Sequence, residues 1–136
     1  MQRRNFFNKL ATGAIVSGIS TPLWASTRLE NSSPINPSES IQHIVIFNLK
    51  HAKGSAGELK FLTDGKSILS RIPVVSDFRV LDQVSTKNDY DFGFSMVFVS
   101  RADYETYSSH PDHVAFVENS WKKEVSRFLE IDFKVH

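Results

Sequence analysis

Phe92-Gly93-Phe94-Ser95-Met96-Val97-Phe98-Val99 puts Phe92, Phe94, Met96 and Phe98 on one side of an extended chain, and Gly93, Ser95, Val97 and Val99 on the other. Period-two alternation in a run this rich in aromatic and β-branched residues predicts a strand. Neither side is strongly polar, so the strand needs cover on both faces. Ile41–Leu49 has the same character: Ile41, His43, Val45, Phe47 and Leu49 share one side, and Ile44 and Ile46 line the other.

The segments around these two strands complete a pattern. Ser55–Ile72 predicts a helix with Leu59, Leu62, Leu69 and Ile72 as its apolar stripe, Lys60, Asp64 and Lys66 outward, and Pro73 as its stop. Val74–Val84 reads as a strand and Ser85–Asp91 as a turn. Ser100 followed by Asp103 is a capping arrangement opening a helix through Tyr104 and Tyr107. Pro111 disfavours helix at His110 and suits the first turn of a new piece, whose stripe is Val114, Val117, Trp121 and Val125. Leu129, Ile131, Phe133 and Val135 then alternate as a last strand. The order β-α-β-β-α-β is that of a ferredoxin-like α+β fold. Two helices cover one sheet face only. A bare apolar face across four strands exceeds what a monomer ordinarily exposes. A second copy laid sheet against sheet covers it, which predicts a homodimer closed as a dimeric α+β barrel.

The chain before Ile41 has a different composition. Residues 1–25 carry Arg3, Arg4 and Lys9 without an acid, a weakly apolar run from Leu10 to Leu23, and a small residue at Ala25. This is signal-peptide architecture, with cleavage expected after Ala25. Arg3-Arg4 followed by Phe6-Phe7 and Lys9 matches the twin-arginine pattern and predicts a periplasmic or otherwise exported protein. The run is too short and too rich in Gly, Ser and Thr for a stable membrane span. Residues 26–40, STRLENSSPINPSES, read as a flexible tether, which leaves residues 41–136 as the folded domain.

Composition removes several functional classes. The absence of Cys excludes disulfides, thiolate zinc sites and a Cys nucleophile. Beyond the leader, 15 acidic residues stand against 13 basic ones, without a Lys/Arg block, so nucleic acid is not an expected partner. No G-x-S-x-G elbow supports a Ser hydrolase. His110 and His113 have H-x-x-H spacing, but neither thiolate nor acidic cluster backs it. No metal and no cofactor are expected.

Two segments resemble the stress-responsive A/B-barrel (Dabb) family. One is His43-Ile44-Val45-Ile46-Phe47-Asn48-Leu49-Lys50; the other, more specific, is Tyr107-Ser108-Ser109-His110-Pro111-Asp112-His113-Val114, a Y-x-x-H-P-x-H-V pattern. Phe128-Leu129-Glu130-Ile131-Asp132-Phe133 is similar to the family's last strand, so the likeness spans about residues 41–134. It implies a dimeric α+β barrel with a pocket between each sheet and its helices. Most of the family has no assigned activity, and some members are linked to stress responses. A more distant resemblance, to plant olivetolic acid cyclase-type polyketide cyclases, implies a cofactor-free aldol closure. Their working His and Tyr match His113 and Tyr107, and their first-strand His matches His43.

The candidate site is therefore His43, Tyr107, His110 and His113. His113 lies near the start of a helix, where the dipole disfavours protonation and leaves a neutral base. Tyr107 is placed to polarise or protonate a carbonyl oxygen, and His43 to orient the substrate. His110, before Pro111, reads as a cap or a ligand contact. Three readings follow: a binding barrel for a small apolar or aromatic carbonyl compound, a cofactor-independent lyase, cyclase or isomerase, and a structural or partner protein with a filled core.

Overall fold

A computed structural model describes residues 36–136. The leader, its cleavage site and most of the tether fall outside the described residues. Asn36–Glu39 form an exposed turn in which the Asn36 side chain accepts from the Ser38 backbone N–H at 3.2 Å.

The strands are β1 (Ile41–Leu49), β2 (Ser76–Asp82), β3 (Phe92–Phe98) and β4 (Val125–Lys134). They form one antiparallel sheet in the order β2-β3-β1-β4. Helix α1 (Ala56–Leu69) joins β1 to β2. The β3–β4 connection is α2 (Arg101–Ser109), α3 (Pro111–Phe116), a π-helical turn at Val117–Trp121 and the short α4 (Lys122–Glu124). This is the ferredoxin-like α+β fold. The caps are local: Ser55 accepts from the Glu58 N–H, and Ser100 from the Asp103 N–H.

Register decides what each face carries. His43 pairs with Met96 on one side and Asp132 on the other, and Phe47 pairs with Phe92 and Phe128. The helix-side face therefore holds Ile41, His43, Val45 and Phe47 with Phe92, Phe94, Met96 and Phe98. All eight are buried. Phe47 is the hub, with edge-on rings from Phe94 at 4.8 Å and Trp121 at 5.0 Å. The other face carries Ile44, Ile46, Val97 and Ile131, partly exposed, and Leu129 and Phe133, about half exposed (48% and 52%). No described element covers it.

Several sequence expectations shift. Helix α1 buries Phe61, Gly65 and Leu69, while Leu59 is 68% exposed. Of the expected stripe, Leu69 and Ile72 are buried and Leu62 packs against the core; Phe61 and Gly65 take the place of Leu59, and a Cβ on Gly65 would lie 2.6 Å from Phe94 Cζ. After Pro111 the buried residue is Phe116, and Val114 is exposed. Val125 is not on a helix stripe but opens β4, with extended backbone (ψ 127°). That strand starts four residues earlier than expected and ends before Val135.

Candidate functional site

Between the sheet and the α2–α4 connection lies a cavity of about 320 Å³. Its floor includes His43, Phe94 and Glu130, and its roof Tyr107, His113 and Trp121. The volume suits a single-ring molecule. The break at His110-Pro111 is what builds the roof. Tyr107, in the last turn of α2, and His113, in the first turn of α3, arrive from either side of it, with ring centroids 4.3 Å apart. His43 approaches from β1, its ring 6.3 Å from that of Tyr107. His110 is not among the lining residues. Its backbone is extended, and its Nδ1 accepts from the Asp112 N–H at 3.1 Å, capping α3.

Hydrogen bonds fix the tautomers. His113 Nδ1 lies 3.0 Å from the Ser108 carbonyl, which only accepts, so Nδ1 carries the proton and a neutral ring keeps its lone pair on Nε2. His43 Nδ1 lies 2.6 Å from Asp132 Oδ1 and donates to that carboxylate, again leaving Nε2 as the basic atom. The Tyr104 hydroxyl, 3.3 Å from His43 Nδ1, also leans on Asp132. His43 is 4% exposed, and Nε2 has no protein partner among the described residues. A carboxylate that holds one nitrogen of an imidazole orients the ring and fixes which nitrogen carries the proton.

The Tyr107 hydroxyl is held protonated, chiefly by burial. Burial also pushes Tyr104 up to about 12, helped by Asp132 and Glu130. His113 is lowered from its ordinary 6.5, again mainly by burial; the sequence pointed to the helix end as the cause. As pH falls below about 6.5, the unfolded chain then takes up this proton before the folded one does, so stability is lost with acidification. His113→Gln is expected to shrink the stability difference between about pH 7.5 and about pH 5, measured by urea denaturation at each. An unchanged difference removes His113 from that slope.

Three site residues were not singled out from the sequence: Asp132, Tyr104 and Glu130. Register places Asp132 and Glu130 on the helix side of β4, opposite His43 and Val45. The signal lay in the last strand, where two acids alternate with Leu129, Ile131 and Phe133 and so share the side opposite to them. Among the described residues, no group of three or more His, Asp or Glu is arranged to hold a metal ion, and no helix is long and apolar enough to cross a membrane.

Residues 41–135 match the stress-responsive A/B barrel domain family. A solved Dabb family protein with a ferredoxin-like fold from Mesorhizobium loti is 52% identical. The match covers 72% of this chain and 98% of that one, with a TM-score of 0.71. The hydroxynitrile lyase from Passiflora edulis is 14% identical over 74% of this chain and 96% of its own, with a TM-score of 0.62. A dimeric ferredoxin-like protein from Bacteroides fragilis is 19% identical over 71% and 96%, with a TM-score of 0.56. The last two share the fold. No curated protein matches the chain.

Proposed function

The chain belongs to the stress-responsive A/B-barrel (Dabb) family, and from that premise we propose that it binds a small apolar or aromatic carbonyl compound in the cavity under α2–α4. One observation carries the reading. Tyr107 presents a protonated hydroxyl, with no partner among the described residues, into an apolar space flanked by two imidazoles with lone pairs on Nε2. A carbonyl oxygen is the acceptor that such a hydroxyl lacks. Native mass spectrometry of the purified protein is expected to find a retained ligand, or acetophenone to bind in its place. In the second case Tyr107→Phe should weaken binding about tenfold. An empty protein that does not bind the ketone overturns the reading.

The His43–Asp132 pair favours a second reading at the same site, removal of a proton next to the carbonyl. The distant hydroxynitrile lyase shows that this fold accommodates a lyase. Exchange of the acetophenone methyl protons with deuterated solvent, followed by NMR, measures that step directly. A rate no greater than in buffer leaves binding alone.

The proposed assembly is a homodimer through the uncovered sheet face, supported by the apolar residues there and by dimeric proteins of the same fold. The proposed location is outside the cytoplasm by the twin-arginine route, supported by Arg3-Arg4 and the run after them. Changing Arg3 and Arg4 together to Lys keeps the charge and is expected to retain the protein in the cytoplasm. Export of the double variant at the normal level, seen by cell fractionation, refutes that route.

A further inference from the structure

We propose that Glu130 sets the cavity's choice of ligand, favouring an uncharged hydroxylated ring over a carboxylated one. The inference rests on the carbonyl-binding reading above and adds the chemistry of the ligand's second polar end.

It follows from counting donors and acceptors. Each His spends its Nδ1 proton on a protein oxygen, His43 on Asp132 and His113 on Ser108, so each neutral ring offers the cavity only an acceptor. Lys122 also lines the cavity, but its ammonium is tied to Glu118. Among the titratable lining groups, the Tyr107 hydroxyl is the donor with no protein partner among the described residues. Glu130 adds a carboxylate. It stands two residues before Asp132 on the same side of β4, opposite Val45, and takes part in none of the ion pairs or side-chain hydrogen bonds of the described residues.

A ligand that gives its carbonyl to Tyr107 then meets acceptors on both imidazoles and on Glu130, the other donors of the lining being the Trp121 indole N–H and the Glu118-paired Lys122. A hydroxyl satisfies one of these acceptors. A carboxylate brings further acceptors, and a negative charge beside Glu130 in a space walled by aromatic rings, where charges interact more strongly than in water. Glu130 itself is exposed, so it stands at the solvent side of the cavity and ordinary salt screens it in part.

The test compares meta-hydroxyacetophenone with meta-acetylbenzoate by calorimetric titration of the full chain near neutral pH, with acetophenone as reference. The hydroxyl compound is expected to bind at least about tenfold more tightly than the carboxylate. Glu130→Gln should bring the two within about threefold, mainly by improving the carboxylate, and about 0.5 M salt should narrow the wild-type gap in the same direction. Because Glu130 is exposed, the variant is expected to fold, as circular dichroism will show. Equal affinities in the wild type, or a ratio unmoved by Glu130→Gln, overturn the role of Glu130 while leaving carbonyl binding intact. If none of the three ketones binds, the carbonyl-binding reading fails and this inference falls with it.

Discussion

Ile131→Asp is expected to give a folded monomer, and Phe94→Asp an unfolded chain. The two residues lie on strands of one sheet and differ in the face they occupy. Phe94 is 1% exposed beneath the helices, with rings from Phe47, Phe61 and Phe78 around it. Removing a buried Phe ring costs about 3–5 kcal/mol, and burying an unpaired carboxylate adds to that. The sum is comparable with the entire stability of a domain, about 5–15 kcal/mol. Ile131 pairs with Ile44 on the uncovered face and is only half-buried. An Asp there meets water in the monomer, but it meets the apolar face of the partner in a sheet-to-sheet dimer. Circular dichroism and light scattering separate the cases. A wild-type monomer at micromolar concentration, or a dimer that survives Ile131→Asp, removes the face-to-face assembly.

The contrast between those faces was legible early because strand parity is strict. One-residue offsets in β1 and β3 decide which side is buried, and both strands contain enough bulky residues to mark it. The helices were less legible. In α1, Leu62, Leu69 and Ile72 face the core as expected, but Leu59 is exposed, and Phe61 and Gly65 join the buried side, where Gly65 lies against the Phe94 ring. After Pro111, spacing alone made Val125 a helical neighbour of Trp121. The π turn at Val117–Trp121 changes the phase, and the chain extends at Val125.

The site divides in the same way. His43, Tyr107 and His113 stood out because they sit in short, dense motifs, and the fold brings all three to one cavity. His110, in the same motif, is spent on the cap of α3. Asp132 lies 89 residues from its partner His43, and only the antiparallel register of β1 against β4 unites them. Parity within β4 shows that Asp132 and Glu130 share a side. It does not show that this side faces the helices, since the alternating Leu129, Ile131 and Phe133 look like the core stripe. They line the uncovered face instead.

Asp132→Asn is the substitution with the largest expected effect on the site's chemistry. The wild-type carboxylate only accepts, which forces the His43 proton onto Nδ1 and leaves Nε2 basic. An Asn side chain is nearly isosteric, but its amide can donate to Nδ1. A neutral ring then carries its proton on Nε2, where the base was. Nitrogen NMR of the His43 ring tests this without any assumption about activity: the protonated nitrogen should be Nδ1 in the wild type and Nε2 in the variant. If the cavity removes a proton next to a carbonyl, exchange of the acetophenone methyl protons should fall by about two orders of magnitude or more, because an inverted tautomer has no lone pair to offer. Acetophenone affinity should fall much less, since its carbonyl is held by Tyr107. Asp132 is about one-third exposed, so the isosteric change is expected to leave the fold intact. An Asn variant with the wild-type tautomer and wild-type exchange rate makes the His43–Asp132 contact a structural one.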